Sequence, residues 1–492
     1  MAVSYRISII LVFILILASA LRIHGLGHQS LWNDELASWD KSNYSNLGTV
    51  IKKGVIPDMH PPGYHVVTYF VEKYIGTEES ALRLPSAISG ILSVLVIFLL
   101  GERLYSCREG LIASAMTAVL WCPIYYSQEG RAYSMLLLFT LLATYFWVTM
   151  LMRLNEDRKI SLNLKLGYVL SAIAASYLHY FGLFLIALQA LWSVLFFIKS
   201  RSALITLLSA YFFILMAYVP WLPIMAQHLS HGNVSDKIGW IKPPGNIIVS
   251  FRDYLLFIFN DSLKIVILAV GMYVFLFFHT LYNSKKFKGQ KNVGVKPFPA
   301  EWLLFSWLFI PFLIAYFKSI ISFPVLVNYV LIISLPAAYL LFSRAITQLL
   351  NRPMYQAIIT VMLVMYSLHW LVSDGYYSTP RKEQWREAVY FMADNDKYYK
   401  NSLIIGYAWV PRYFDYYLKK KGSVKSVHIM AGEEKDIPII TGIINTENPG
   451  YVWYIYGQRS PDKKFINFMK KRLSLIEEKK FIDTGVFLFK NK

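Results

Sequence analysis

The chain has 492 residues, of which 56% are hydrophobic and only 16% are charged, and its mean hydropathy is +0.43. Soluble domains carry about 25% charged residues, so this composition excludes an ordinary soluble protein. The net charge of +19 could indicate nucleic acid as a partner, but no basic face with interleaved aromatic residues stands apart from the apolar segments. A bias of Lys and Arg toward cytoplasmic loops, with affinity for anionic lipid, explains the excess more simply. The sequence therefore predicts a polytopic membrane protein without a nucleic-acid partner.

Eleven apolar segments are predicted to cross a hydrocarbon core of ~30 Å as helices. They are Ile7–Ile23, Leu82–Leu100, Leu111–Tyr126, Ala132–Met152, Leu166–Leu178, Gly182–Ile198, Ala203–Leu222, Ile265–Tyr282, Trp302–Phe317, Val325–Phe342 and Ala357–Val372. The first segment follows Arg6 and has Ala18-Ser19-Ala20 near its end, which resembles a signal-peptide cleavage site. We interpret it as a retained helix, because small residues are also common in spanning helices.

The basic residues indicate the orientation of these segments. If the N-terminus is cytoplasmic, alternate connections are rich in Lys and Arg and the other short connections are poor in them, which is the positive-inside pattern. The basic connections contain Arg103 and Arg108; Arg153, Arg158, Lys159 and Lys165; Lys199 and Arg201; Lys285, Lys286, Lys288, Lys291 and Lys296; Arg344 and Arg352. Eleven crossings then place the C-terminus outside. The only cysteines, Cys107 and Cys122, are not expected to pair or to hold zinc.

Two domains are predicted, a transmembrane domain at residues 1–374 and an extracytoplasmic domain at residues 375–492. The first outer loop, residues 24–80, mixes aromatic residues with charge, which predicts interfacial helices. A second outer segment contains a polar stretch from His231 to Gly245. After residue 374, short β-type runs alternate with helix-like stretches, and this pattern predicts a small α/β domain. The β-type runs are Ser402–Trp409, Tyr451–Tyr456 and Gly485–Phe489, and the helix-like stretches are Glu383–Ala393 and Phe465–Glu478.

Polar motifs collect on the predicted outer face, where polar groups near the membrane are costly and therefore informative about function. They are Asp34-Glu35 after the first segment, His60-Pro61-Pro62-Gly63-Tyr64, Arg83, Ser127-Gln128-Glu129-Gly130-Arg131-Ala132-Tyr133, and His179-Tyr180. Each also has an ordinary interpretation: Asp34 can cap a helix, Glu129 and Arg131 can pair, and His60 can shape a turn. Together they place acids, histidines and arginines on one face. That set suits an anionic lipid head group and a reaction that needs a base.

The order and spacing of these motifs resemble the polyprenyl-phosphate-sugar-dependent glycosyltransferases of the GT-C superfamily. These integral-membrane enzymes include protein O-mannosyltransferases (glycosyltransferase family 39) and the aminoarabinose transferase of lipid A. The resemblance rests on Trp32–Glu35, His60–Tyr64, Ala81–Ala87, Ser127–Ser134 and Leu178–Gly182. It extends over most of the chain and implies a GT-C-like helical membrane fold of about eleven transmembrane helices with a large first extracytoplasmic loop and a small α/β C-terminal domain.

The resemblance also implies a reaction and its site. A sugar would move from a polyprenyl-phosphate donor to a protein, lipid or glycan acceptor, with inversion, and the active site would face outward from the cell membrane. Asp34 would be the general base, Glu35 would orient the loop or contact the sugar, and Arg131 would stabilise phosphate charge. The other substrate-binding residues would be His60, Tyr64, Arg83, Glu129, Tyr133, His179, Tyr180 and Tyr329.

One position departs from the family pattern. Many relatives carry an Arg-Tyr pair at the start of a late span, whereas this chain has Asn328-Tyr329. The phosphate contact would then fall to Lys318, Arg83 or Arg412. No cofactor is certain: a divalent ion is possible because Asp34, Glu35 and His60 have suitable ligand chemistry, but their spacing matches no strong metal motif.

Two other classes of function compete with the transferase. A transporter or flippase for a lipid-linked or polysaccharide substrate would also use charged residues. It should place them deep among the spans and often in two related halves, whereas here they cluster at one face and no internal duplication is found. A membrane-anchored scaffold acting through its C-terminal domain would leave the clustered loop residues unexplained.

Overall fold

The computed structural model describes residues 5–235, 241–288, 298–422 and 425–492. Parts of two sequence features, the polar stretch after His231 and the basic connection containing Lys291 and Lys296, lie outside these residues. The described chain divides into two compact units, each assembled from separate segments. The first unit comprises residues 1–24, 45–67 and 83–376, and the second comprises residues 25–44, 68–82 and 377–492.

Helices account for most of the chain as far as residue 376. They are α1 Tyr5–Ile23, α2 Asn33–Ser42, α3 Leu47–Thr49, α4 Gly63–Tyr74, α5 Glu79–Leu104, α6 Cys107–Val119, α7 Trp121–Ser127, α8 Tyr133–Asn155, α9 Leu162–Leu178, α10 Tyr180–Phe197, α11 Arg201–Tyr218, α12 Leu222–Ser235, α13 Ile247–Ile258, α14 Leu263–Lys288, α15 Ala300–Ile321, α16 Leu335–Leu349 and α17 Pro353–Ser373. A π-helical turn at Val50–Val55 and 3-10 turns at Val219–Trp221 and Asn328–Ser334 join some of them.

The predicted spans correspond to helices in the structure. Among the described residues, nine helices are long and apolar enough to cross a membrane, and a bent pair formed by α6 and α7 makes ten. The remaining predicted span is α9, a shorter apolar helix of 17 residues. The protein is therefore a multi-pass membrane protein. The predicted segment at Val325 begins later than expected, because residues 324–327 are not helical.

The third predicted span is broken rather than continuous. Its two helices, α6 and α7, meet at Leu120 at an angle of 59°. Pro123 lies four residues after Val119, and a proline at that place lacks the N–H donor and its ring crowds the Val119 carbonyl. The Trp121 N–H, released from the helix, donates instead to the side-chain oxygen of Asn260 at 2.7 Å.

Arg22 is fully buried and hydrogen-bonds to the α6 side of the same break. Its guanidinium donates to the carbonyls of Thr117 at 2.7 Å and Ala118 at 3.0 Å, and to the Ser127 hydroxyl at 3.2 Å. Unpaired backbone groups cost several kcal/mol in a hydrocarbon interior. The buried arginine at the end of α1 therefore stabilises the bend and fastens α1 to α6 and α7.

Small residues let the helices of the first unit approach closely. A Cβ at Gly182 would lie 2.2 Å from the Ala175 carbonyl oxygen, and one at Gly101 would lie 2.7 Å from the Gly110 Cα. Close helix contacts through glycine are typical of membrane proteins, where van der Waals packing replaces much of the hydrophobic drive.

The second unit contains a five-stranded mixed sheet. Its strands are β1 Ser402–Tyr407, β2 Ile429–Met430, β3 Tyr451–Gly457, β4 Ser474–Phe481 and β5 Thr484–Lys490, in the order β2-β1-β3-β5-β4. β1 pairs in parallel with β2 and β3, with Ser402 opposite Tyr451, and β5 pairs antiparallel with β3 and β4. The helices that accompany the sheet are α18 Trp385–Asp396, α19 Arg412–Lys421, α20 Ile437–Glu447 and α21 Lys463–Arg472, with a 3-10 turn at Glu434–Asp436.

The small α/β C-terminal domain was predicted correctly, with one wrong element. The stretch Phe465–Glu478 is helical only as far as Arg472, and from Ser474 it forms β4. The Lys- and Glu-rich sequence favours a helix locally, but pairing with β5 prevails. The predicted helix at Glu383–Ala393 begins two residues later, at Trp385.

Segments from the first loop belong to this second unit and are hydrogen-bonded to α19. The Leu31 N–H donates to the Tyr417 hydroxyl at 2.6 Å, and the Tyr416 hydroxyl donates to the Thr77 carbonyl. Asp40 on α2 pairs with Arg412 at 2.8 Å. The first-loop segments are thus built into the C-terminal α/β unit.

Candidate active site

The predicted catalytic residues lie at the N-terminus of α2, in the second unit. Glu35 is almost fully buried, and its Oε2 accepts a hydrogen bond from the Trp32 N–H at 3.3 Å. Its other oxygen, Oε1, pairs with Lys382 Nζ at 3.1 Å. Asp34 is half-buried, and its Oδ1 accepts from the Asn33 amide at 3.1 Å. Both oxygens of Glu35 therefore make contacts that hold the start of α2. The neighbouring Asp34 lies in the same helical turn but is only half-buried.

Lys382 and Glu383 complete this arrangement and were not predicted as site residues. Glu383 Oε2 accepts from the Asn33 N–H at 2.9 Å and from Trp385 Nε1 at 2.6 Å. Burial raises the pKa of the Glu383 carboxyl, and these two donors oppose that rise. We call Lys382 and Glu383 the α2 clamp. Its only sequence signal is a Lys-Glu pair soon after the last span, which gives no indication of a partner hundreds of residues earlier.

The remaining predicted residues belong to the first unit, and several of them line one narrow recess, whose volume open to a water-sized sphere is about 10 Å³. Its walls include His60, Tyr64, Arg131, Tyr133 and His179. The rings of His60 and His179 lie 5.9 Å apart, and Tyr133 lies 6.3 Å from His179. The Arg131 guanidinium carbon lies 5.9 Å from the centre of the Tyr133 ring. Three separate motifs of the sequence thus meet at this place.

Tyr329 adjoins the same group from the late part of the chain. Its ring centre is 4.9 Å from that of Tyr133 and 6.5 Å from that of Tyr126. The neighbouring Asn328 begins a 3-10 turn. Lys318, named as a substitute for the arginine missing at that position, has its ammonium 4.4 Å from the centre of the Phe323 ring.

The His-Pro-Pro-Gly-Tyr motif owes its form to a tight contact. α4 begins at Gly63, after two prolines that favour a helix start. A Cβ on Gly63 would lie 2.6 Å from the Tyr177 carbonyl oxygen, so only glycine fits against the end of α9. This contact places His60 and Tyr64 beside His179.

Asp58 is a third residue that was not predicted from the sequence as a site residue. Its Oδ2 is hydrogen-bonded to His60 Nδ1 at 3.2 Å and to His65 Nε2 at 3.1 Å. The sequence shows Asp58, His60 and His65 close together, but this spacing is typical of an ordinary polar turn. The contacts can be predicted only when it is known that α4 begins at Gly63. The carboxylate fixes the orientation of both rings and favours a donor role for the nitrogens it contacts.

His179 provides no positive charge at neutral pH. Burial, with smaller contributions from His60 and Arg131, lowers the pKa of its ring from 6.5 to about 3. Its Nδ1 accepts from the Phe181 N–H at 3.2 Å, capping α10. The guanidinium of Arg131 is therefore the permanent cation among the residues that line the recess.

The other three predicted residues have different surroundings. Glu129 and Arg83 are each about 1% exposed, and both lie in the first unit. Tyr180 belongs to a separate network, in which its hydroxyl bonds His228 Nδ1 at 2.7 Å and His228 Nε2 bonds the Ile56 carbonyl at 2.9 Å. That network connects α10 and α12 to the first loop.

The described residues contain no group of three or more His, Cys, Asp or Glu side chains arranged to hold a metal ion. The possible divalent ion therefore has no ligand set in this part of the chain, and no chemical step is assigned to it.

The fold is similar to that of solved structures of two other proteins. ArnT from Cupriavidus metallidurans, in the apo state and bound to undecaprenyl phosphate, superimposes with TM-scores of 0.61 and 0.60, with 12% sequence identity and 97% of each chain covered. An Archaeoglobus fulgidus oligosaccharyltransferase, solved with Zn and sulfate, gives a TM-score of 0.51 at 13% identity, covering 90% of this chain and 67% of the other. These likenesses show a shared fold.

A family model matches part of the chain. Residues 59–224 match the model described as dolichyl-phosphate-mannose-protein mannosyltransferase. This segment contains His60, Tyr64, Arg131, Tyr133 and His179, so the recess of the first unit lies within the matched part of the chain. Comparison with curated proteins gives no match.

Proposed function

We propose that this protein transfers a sugar from a polyprenyl-phosphate donor to an acceptor hydroxyl at the outer face of the cell membrane. The observation that carries the proposal is the recess around Arg131, which brings together motifs from three loops inside the segment that matches the mannosyltransferase model. The presentation of Asp34 by the α2 clamp supports it. The extracytoplasmic position of the first loop and C-terminal domain rests on the distribution of Lys and Arg.

Asp34 is assigned the role of general base. Its carboxylate stands in the first turn of α2, where the helix dipole favours negative charge. As the acceptor oxygen bonds to the anomeric carbon, its proton passes to Asp34. The bond from that carbon to the phosphate oxygen breaks, and polyprenyl phosphate leaves with the electron pair. A single displacement of this kind inverts the anomeric centre. Glu35 takes no proton, because both of its oxygens are already bonded.

Arg131 is assigned to the phosphate. A guanidinium offers a planar fork of donors that suits phosphate oxygens, and it stabilises the charge that develops as the leaving group departs. Neutral His179 and the Asp58-bonded His60 contribute hydrogen bonds and shape to the same recess. In this assignment Arg131 is the side chain that stabilises the phosphate charge.

A groove among the helices is suited to the lipid tail. A wholly apolar recess, with about 230 Å³ open to a water-sized sphere, lies between α13, α14 and α15 and is lined by Phe251, Tyr273, Phe277, Phe305 and Phe309 among others. ArnT, which shares the fold, has been solved with undecaprenyl phosphate. A polyprenyl chain is the natural occupant of such a surface.

The test is to incubate purified protein with a panel of polyprenyl-phosphate sugars and to follow transfer and donor hydrolysis. We expect one or more donors to be consumed by the wild type. We expect Asp34→Asn to reduce turnover by about 10²–10⁴-fold, the usual contribution of a general base, while still inserting and folding. Glu78→Gln, at an exposed acid of the same unit, serves as the matched control.

Three results would contradict the proposal. Wild-type turnover by Asp34→Asn would remove that residue from the role of base. Donor consumption by Arg131→Met at the wild-type rate would show that Arg131 does not bind the donor phosphate. Movement of a lipid-linked sugar across a vesicle membrane without any transfer would favour a flippase.

A further inference from the structure

A second recess, which no step above uses, lies wholly within the second unit. Its volume open to a water-sized sphere is about 260 Å³, and it is bounded by residues 28–30 on one side and residues 377–387 on the other. This volume is close to the lower end of the range of about 300–1,000 Å³ that is usual for pockets that bind small molecules. We call it the α/β recess.

The walls of the α/β recess are held in place by direct hydrogen bonds. Gln29 Oε1 accepts from the N–H groups of Arg381 at 2.8 Å and Lys382 at 3.0 Å. The Ser30 hydroxyl donates to the Glu383 carbonyl, and Arg386 Nη1 donates to the Gly27 carbonyl at 3.2 Å. Both sides of the recess are thus fastened before any ligand arrives, which lowers the ordering cost of binding.

The charges around the recess balance. Lys382 pairs with Glu35 at 3.1 Å, and Arg386 pairs with Glu387 at 2.8 Å. Arg386 also contacts Glu79 at 3.2 Å, and Lys420 pairs with Glu79 as well. Three cations therefore meet three carboxylates. A phosphate-bearing ligand would find no spare cation among these groups, whereas a neutral ligand rich in hydroxyl groups would be accommodated.

The remaining side chains of the lining have the chemistry that a sugar requires. Gln29, Gln384, Thr379 and His28 supply hydrogen-bond donors and acceptors, and Tyr377 adds an aromatic ring. A hexose ring offers hydroxyls around its edge and an apolar C–H face, and Tyr presents an apolar body with a polar tip. The composition of the lining matches both features.

The α/β recess is also connected to Asp34, the proposed base, through Lys382 and Glu35. Lys382, which lines it, contacts Glu35 directly, and Glu35 is the neighbour of Asp34 in the first turn of α2. A ligand held there would lie beside the helix start that presents the base. The acceptor, whose proton that base removes, must bind near it.

We infer that the α/β recess binds a neutral sugar unit of the acceptor, so that the acceptor is a glycan or glycolipid. This inference rests on the proposed function and adds the substrate class. Thr379 lies in the wall, is exposed and makes no hydrogen bond that the described structure records, so Thr379→Trp fills the recess without removing a contact.

The experiment measures donor hydrolysis and acceptor transfer separately in the full-length protein. Methyl glycosides of glucose, mannose and N-acetylglucosamine are the neutral probes, and glucose 6-phosphate and a Ser/Thr peptide are the competing classes. We expect a neutral glycoside to accept sugar, and Thr379→Trp to raise its KM by about tenfold or more, equal to 1.4 kcal/mol, with donor hydrolysis unchanged. Thr446→Trp, at an exposed position on α20, is the control.

Several outcomes would overturn the inference. Preference for glucose 6-phosphate or for the peptide would assign the acceptor to another class. An unchanged KM in Thr379→Trp would show that the acceptor binds elsewhere. Loss of donor hydrolysis in that variant would assign the recess to the donor. Absence of donor hydrolysis in the wild type would instead contradict the proposed function itself.

Discussion

At the scale of single residues, the two neighbouring acids at the start of α2 have opposite surroundings. Glu35 is buried and bonded through both oxygens, whereas Asp34 is half-exposed beside one amide. In the sequence they are an adjacent pair of carboxylates, and only the family resemblance distinguishes them. The difference arises from helix geometry, since successive residues point about 100° apart and only one can face the α2 clamp.

Lys382→Met should destabilise the protein strongly. Lys382 and Glu35 are 7% and 1% exposed, and removing one partner of a buried ion pair costs about 3–5 kcal/mol. Thermal unfolding of the purified protein measures the effect, with the exposed Lys463→Met as control. The double variant Glu35→Gln/Lys382→Met should recover much of the loss. Equal losses in the single and double variants would show that the ion pair does not hold the helix.

Glu72 should make stability depend on pH. Burial and the nearby Asp40 raise the pKa of its carboxyl from 4.5 to about 8. Between these values the folded protein keeps a proton that the unfolded chain has released, so stability is full below about pH 4.5 and falls as the pH rises toward 8. We expect Glu72→Gln to remove this decline, so that its Tm exceeds that of the wild type increasingly up to about pH 8. A difference in Tm that is constant across this range would contradict the assignment.

At the scale of elements, the break between α6 and α7 depends on the close approach of Gly90 on α5 to Ser127 and Arg22. A Cβ on Gly90 of α5 would lie 1.9 Å from Ser127 Oγ and 2.9 Å from Arg22 Nε. Both atoms belong to the network that satisfies the carbonyls released at the bend.

Gly90→Ala should therefore destabilise the protein by about 1–3 kcal/mol, the usual cost of overpacking. Gly271 on α14 has no atom within 4 Å of its would-be Cβ. Gly271→Ala should consequently be neutral or slightly stabilising, because alanine favours a helix over glycine. Thermal unfolding of the two variants in the same detergent gives the comparison. Equal stability of both would show that the Arg22 network tolerates displacement.

The sheet shows where local sequence patterns fail. β3 and β5 are continuous apolar runs and are almost wholly buried, so they could be predicted. β4 is exposed along most of its length and rich in Lys and Glu, and its conformation comes from pairing with β5. β2 has only two residues, too few for any periodicity. These are the two edge strands, and shortness and charge are both features that discourage pairing with another chain.

At the scale of the whole molecule, the spans and the order of the polar motifs could be predicted from the sequence. Apolar length is a local property. Arg131 and His179 are found because they lie in short loops between spans, and His60 is found because it belongs to the first outer loop. Asp58, Lys382, Glu383 and Arg22 could not be found in this way. Their roles depend on partners that are distant along the chain or on the start of a neighbouring helix.

The α2 clamp also sets an order of events during biosynthesis. The hydrogen bond from Asn33 to Glu383 joins residues 350 positions apart. At about 5–20 residues per second, the ribosome needs about 20–70 s to reach Glu383 after Asn33. During that interval the membrane-spanning helices can insert, but the helix start that carries Asp34 has neither Lys382 nor Glu383 to hold it. Under the proposed function, a nascent or prematurely ended chain would therefore reside in the membrane without consuming lipid-linked sugar.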